Sequence, residues 1–256
     1  MSKKPEFSEL FFSRTKDFLD LFLVRQQQRS KETVKAYRIS LSSFYTYVTE
    51  EKLFKALAFR FTDCTYELVL SYSQYLQETK KLAASTVNQR LAALKSYLKY
   101  VSDGDISLMQ VYMRVQKVPL LRAPKLQRPV IEKKELGALL DEPPDTPIGN
   151  RDRVILILLF DSAVRVSELT GIVLGDLSLD VSHPSITVYG KGKKTRTITL
   201  NTKCAEHVKE YIRRYHKPDT PPDTPLFYTI IHGKVNHMSQ RNIERIVKKY
   251  GDIVRK

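Results

Sequence analysis

Between Arg151 and Leu200 the chain changes character twice, and few folds accommodate both changes. Val154–Phe160 is a nearly continuous apolar run. A buried helix and a buried strand would both satisfy such a run, but the length from Arg151 to Ser162 favours a helix. The pattern breaks at Ser162-Ala163 and restarts with Val166-Ser167-Glu168-Leu169, so Arg165 falls in the opening turn of a second helix. Free backbone N–H groups and the positive end of the helix dipole favour an anion there, and a guanidinium adds a planar fork suited to phosphate oxygens. Two short strand-like stretches follow, Ser185–Tyr189 and Arg196–Leu200, joined by a turn rich in glycine and lysine that includes Lys191 and Lys193. An arginine at a helix start and a lysine on a hairpin tip can converge on one phosphate.

The rest of the chain is helical in pattern. Phe7–Arg29 has apolar positions at helical spacing. Ser30 is a suitable N-cap for a helix that buries Val34, Tyr37, Leu41, Phe44 and Val48. A third segment covers Thr65–Thr79, and a fourth opens at Ser85 with the stripe Val87, Leu91, Leu94, Leu98 and Val101. Residues 7–103 therefore read as a four-helix unit. From 104 to 129 the pattern loosens and Pro119, Pro124 and Pro129 alternate with basic residues, which predicts a basic, extended linker. Residues 130–256 then form a second unit. It comprises a helix entry at Val130–Leu136, a loop at Pro143–Pro147, the two helices around Ser162-Ala163, the hairpin, a helix over Ala205–Tyr215, a proline-rich loop at Pro218–Pro225 and a helix over Ser239–Val254. The predicted fold is mainly α with a small β-hairpin or sheet.

Charge narrows the function. Among 256 residues, 43 lysines and arginines face 28 acidic residues, a net charge of +15, which calls for a polyanionic partner and nucleic acid first. Cys64 and Cys204 are too few and too far apart for a metal site and read as reduced thiols. The first residues lack a signal-peptide pattern, and no apolar run approaches the roughly 18 residues of a membrane span. The reading is cytoplasmic, with no membrane partner.

These motifs carry a resemblance. Ser162-Ala163-Val164-Arg165-Val166-Ser167-Glu168-Leu169 followed by a hairpin with Gly190-Lys191-Gly192 resembles the first half of a tyrosine recombinase (phage integrase, Xer-like) catalytic domain, with alanine at 163 where the family has glycine. The helical half is similar to the family's SAM-like core-binding domain. The match lies in Thr33, Tyr37 and Arg38, then in Thr86, Val87, Arg90 and Leu91, and in Leu94, Lys95, Ser96 and Tyr97. The resemblance implies a partial α+β catalytic domain behind a core-binding domain on double-stranded DNA. It implies cleavage and rejoining through a 3′-phosphotyrosine with neither metal nor nucleotide, Arg165 as the first catalytic arginine and Lys191 as the hairpin lysine. Two arginines would neutralise the transition state, and the lysine would protonate the leaving 5′ oxygen. Candidate DNA contacts are Thr33, Arg38, Thr86, Asn88, Arg90, Lys95, Lys99, Lys193 and Arg196.

The family's later His-x-x-Arg box and nucleophilic tyrosine have no counterpart up to Lys256. His237 is followed three residues on by Gln240, and Tyr250 sits on an apolar helix face, so both read as structural. The expectation is half an active site, without strand cleavage. A non-catalytic remnant or competitor, acting by self-association or with a full-length recombinase on DNA, is the alternative. Glu168 and Asp176 read as helix-end anchors or partners of basic residues. An RNA- or nucleotide-binding protein built on Gly190–Thr195 is the least favoured reading, because the turn lacks the Gly-x-x-x-x-Gly-Lys-[Ser/Thr] spacing and lies between two strands.

Overall fold

The computed structural model describes residues 6–55, 57–122, 130–180, 182–190 and 194–255. The chain divides into two compact units, Met1–Gln127 and Arg128–Lys256, each with its own apolar core.

The first unit is helical. Leu10 pairs with Arg60 in an isolated antiparallel bridge, and the Phe11 N–H donates to the Phe59 carbonyl at 2.9 Å. This pairing holds the chain extended at Leu10, so the helix expected from Phe7 is broken after a 3-10 turn at Phe7–Glu9, and Asp17–Gln26 winds as a π-helix that buries Phe18, Leu19 and Leu23. Helix α1 (Lys31–Thr46) begins at Ser30, whose hydroxyl accepts the Thr33 N–H, and it buries Val34, Leu41 and Phe44. Helix α2 (Tyr66–Glu78) is capped by Thr65 in the same way. Helix α3 (Ala84–Gly104) is the longest, with Val87, Leu91, Leu94, Leu98 and Val101 inward.

Helix α4 (Met109–Gln116) occupies part of the stretch expected to be an extended linker. Its periodicity was too sparse to show in sequence, since Val115 is its one buried residue. Side chains of α3 hold it instead. Asn88 Nδ2 donates to the Leu121 carbonyl at 2.9 Å and Asn88 Oδ1 accepts the Leu121 N–H at 2.8 Å. Lys95 Nζ donates to the carbonyls of Gln116 and Val118, at 3.1 and 2.6 Å, closing the C-terminal end of α4.

An aromatic cluster fills the first core. The Phe11 ring lies 4.9–5.4 Å from the rings of Phe12, Phe44, Phe59, Phe61 and Tyr97. Buried phenols in this core have partners: Tyr97 donates to the Phe11 carbonyl, Tyr72 to Ser43 and Tyr47 to Ser71. Phe44 is a core residue, as its spacing suggested, and Tyr97 is buried in the same core.

In the second unit, α5 (Lys133–Asp141) precedes α6 (Pro147–Ser162). The proline at 147 opens α6 rather than ending a loop: its fixed φ suits a first helical position, and Thr146 caps it by accepting the Gly149 N–H at 3.1 Å. Gly149 is required by close approach, because a Cβ there would overlap the Pro144 carbonyl. The short helix α7 (Val166–Leu169) leads to strands β1 (Leu177–Ser178), β2 (Ser185–Tyr189) and β3 (Thr195–Thr199), an antiparallel sheet in that order. Ile186 and Val188 point into the core, with Val188 opposite Arg196 in the β2–β3 register. Helix α8 (Thr202–Tyr215), the hairpin β4 (Tyr228–Ile231) and β5 (Lys234–His237), and α9 (Gln240–Val254) complete the unit. Among the described residues no helix is long and apolar enough to cross a membrane.

Candidate functional site

The break in the apolar run is a left-handed turn. Ala163 ends α6 with φ 48° and ψ 30°, a conformation in which an L side chain costs roughly 1–2 kcal/mol because Cβ crowds the following carbonyl. Ser162 Oγ donates to the Leu158 carbonyl at 2.6 Å and accepts the Val164 N–H at 3.3 Å, and Val164 is buried. The turn is therefore anchored on both sides, and it sends the chain into α7 with Arg165 at its N-cap position. Replacing Ala163 by glycine removes the Cβ penalty from an exposed position. Ala163→Gly is expected to stabilise the second unit by about 0.5–1 kcal/mol, measured by urea unfolding, since glycine's greater freedom in the unfolded chain offsets part of the gain.

Glu168 is the centre of the site. Its side chain is only 2% exposed, yet three donors reach it. Oε2 accepts the Arg165 backbone N–H at 2.9 Å and Arg196 Nη2 at 2.9 Å, while Oε1 accepts Arg165 Nη1 at 2.8 Å. Burial raises the carboxyl's pKa, but the Arg165 N–H and the two guanidinium groups outweigh it, and the group is held below the ordinary glutamate range. It remains a carboxylate at neutral pH. The two arginines keep their other edges in solvent, with side chains 69% and 46% exposed. A single buried negative charge thus orders two cations whose free edges face water. Such forks can take a planar or tetrahedral oxyanion.

The hairpin turn meets the same carboxylate. A Cβ on Gly190 would lie 3.1 Å from Glu168 Oε1, so the lack of a side chain lets the hairpin close down on it. The Gly190 N–H donates to the Lys194 carbonyl at 2.8 Å, closing the turn. Lys191 and Lys193 lie outside the described residues. What is described is that Arg165 and Arg196 both bind Glu168, and that Gly190, the residue before Lys191, lies close enough that a side chain there would crowd it. Glu168 thus has both the helix-end and the pairing role read for it. Asp176 caps its own turn through the Val173 N–H at 3.0 Å.

Several other titratable groups of this unit are engaged in structure. Tyr250 is buried and donates to Asp152 Oδ2 at 3.1 Å, while Asp152 Oδ1 accepts the Arg151 guanidinium at 2.8 Å. His237 Nδ1 lies 2.8 Å from the Thr170 carbonyl, tying the end of β5 to the end of α7. His216 Nε2 lies 3.0 Å from the Leu226 carbonyl, and burial lowers its pKa, with that hydrogen bond opposing. The Cys204 thiol is pushed up to about 12 by burial and by Asp161, and it is not a nucleophile at neutral pH.

The candidate contacts on the first unit divide by what their polar atoms already do. Asn88 and Lys95 hold the backbone of residues 116–121, and burial lowers the Lys95 ammonium below the ordinary lysine range. Thr33 shares a hydrogen bond with Ser30, and Arg90 donates to Ser43 at 2.5 Å. Arg38 pairs with Asp20 at 3.2 Å and Lys99 with Asp103 at 3.4 Å, both on the surface, where such pairs are weak and easily exchanged. Thr86 is half-buried. One basic row escaped the site reading: Arg241, Arg245 and Lys248 are exposed along one face of α9. Their four- and three-residue spacing was the available signal.

Comparison with known proteins agrees with this architecture. Residues 129–254 match the phage integrase family, and residues 18–108 match the phage integrase N-terminal SAM-like domain. The chain is 32% identical over 224 residues to a putative integrase/recombinase, y4rD, of Sinorhizobium fredii, covering 87% of this chain and 79% of that protein. It is 31% identical over 199 residues to the tyrosine recombinase XerC of Staphylococcus haemolyticus, covering 77% of this chain and 63% of that one. The alignment thus spans less than two thirds of the staphylococcal relative. Among solved structures, the fold resembles XerH bound to its difH substrate (TM-score 0.64, 17% identity, 92% of this chain and 67% of that one). It also resembles a lambda integrase dimer bound to a core site (TM-score 0.63, 12% identity, 93% and 63%). With two family domains matched in order and Arg165 on its buried glutamate, the chain belongs to the phage integrase family of site-specific tyrosine recombinases.

Proposed function

We propose that this chain binds duplex DNA through both units and presents Arg165 and Lys191 to a single phosphodiester. The observation that carries this reading is the shared Glu168, which orders the Arg165 guanidinium and binds the hairpin through Arg196 on β3. Arg165 neutralises the non-bridging oxygens as negative charge builds on phosphorus. Lys191 supplies a proton to the leaving 5′ oxygen, the role the family gives its hairpin lysine. This half of the chemistry asks for no metal: two nitrogen cations act on one phosphate. Tyr250 is not the attacking group in this reading, because its hydroxyl is buried against Asp152.

DNA contacts on the first unit come from Arg38, Arg90, Lys99, Thr33 and Thr86, with Lys193 and the α9 row Arg241, Arg245 and Lys248 on the second. Asn88 and Lys95 are left out, since their polar atoms already bind the backbone at residues 116–121. Phosphate contacts of this type position a protein without reading sequence. The DNA-bound XerH and lambda integrase structures, as neighbours in fold, support a duplex as the partner. Fluorescence anisotropy of the full chain on a 30-base-pair duplex and on an RNA hairpin of similar length tests the reading, with at least tenfold tighter binding expected on the duplex. Equal or tighter binding to the hairpin would favour an RNA reader and overturn it.

A further inference from the structure

Arg196 has a surface arginine's exposure but not a surface arginine's bonding. It reaches from β3 to a carboxylate that is buried and already paired with Arg165, at 2.9 Å. A charge spent in this way is poorly placed to serve as one more independent phosphate contact. It is well placed to govern Glu168. With Arg196 present, both carboxylate oxygens carry a guanidinium donor, and the plane of the carboxylate is held. Without it, Oε2 keeps only the Arg165 backbone N–H, the carboxylate can turn about its Cγ–Cδ bond, and the Arg165 fork loses its fixed aim. The hairpin is coupled to the same point, because Gly190 sits against Oε1 and Arg196 faces Val188 in the β2–β3 register.

We infer that Arg196 is a positioning residue: it holds Glu168 so that the carboxylate aims Arg165 and seats the hairpin that carries Lys191. The inference rests on the reading that Arg165 meets a DNA phosphate. It differs from the plain expectation that Arg196 touches DNA itself, and a double-mutant cycle separates the two. Duplex affinity and its salt slope are measured for the full chain, Arg165→Ala, Arg196→Met and the double variant, each first shown to be folded by circular dichroism.

Loss of one phosphate contact costs about eightfold in affinity at 0.1 M salt and about 0.9 in slope. Arg165→Ala is expected to show that loss. Arg196→Met is expected to lose several-fold, and the double variant to bind no worse than Arg165→Ala alone. A merely structural role for Arg196 would leave the Arg165→Ala loss unchanged in either background, and an independent phosphate contact would make the losses multiply to about sixtyfold with a slope change of about 1.8. Either result overturns the inference. Should Arg196→Met not fold, Arg196→Gln enters the same cycle with the same expectation. A wild-type chain with no salt-dependent duplex binding would instead refute the DNA reading beneath it.

Discussion

Raising salt from 50 to 200 mM is expected to weaken duplex binding by this chain by roughly three to five orders of magnitude. The figure follows from counterion release: a protein covering about 6–10 phosphates loses affinity with a logarithmic slope of about −0.9 per contact. The net charge of +15 is ample for that number of contacts. Its distribution matters more than its size, because opposite charges already cancel many basic side chains locally. Arg213 and Arg214 both bind Glu210, whose carboxyl they hold down at about 2, so together they bring one net positive charge rather than two. Arg241, Arg245 and Lys248 have no ion pair among the described contacts and are expected to carry more. Titrating anisotropy on a fixed duplex across this salt range gives the slope directly. A flat response would mean that the charge serves something other than a phosphate backbone.

Phe11→Ala is expected to destabilise the first unit by about 3–5 kcal/mol, near the whole stability of a modest domain. The side chain is fully buried and its ring touches five others. Each such aromatic pair adds about 0.5–1.5 kcal/mol beyond burial alone, which puts the loss toward the upper end of the range. The neighbours come from several elements, so they cannot collapse together into the vacated space without moving backbone. Urea unfolding followed by far-ultraviolet circular dichroism should show an early transition for the first unit and an unchanged one for the second. A loss below about 1.5 kcal/mol would show that the cluster repacks, as happens where a site can relax.

Sequence periodicity made the helices of both units legible because their buried faces are regular: Val34, Leu41 and Phe44 on α1 and Val87, Leu91, Leu94 and Leu98 on α3 recur at three and four residues. It failed where backbone hydrogen bonding overrides pattern. The Leu10–Arg60 bridge interrupts the helix after a short 3-10 turn at Phe7–Glu9, although the apolar spacing there is helical. Helix α4 was missed because polar side chains on α3 hold its end and the chain after it, and a polar residue on a helix's outer face looks the same in sequence whether it meets water or a carbonyl. The same ambiguity hid that Asn88 and Lys95 bond the backbone of residues 116–121. At the candidate site, Arg165's place at the start of α7 was legible because the break at Ser162-Ala163 is local. Arg196's bond to Glu168 was not, since it joins residues 28 positions apart that no short-range pattern links.

The grip of Asn88 and Lys95 on residues 116–121 also decides where the first unit can be cut free. A fragment ending at Asp103, where the apolar stripe fades, would remove Val115 and Val118 from the core and strand a carboxamide and an ammonium beside α3. The useful excision point lies beyond Leu121. A limb that looks like a strap between two bodies is, up to that residue, part of the first body's own wall.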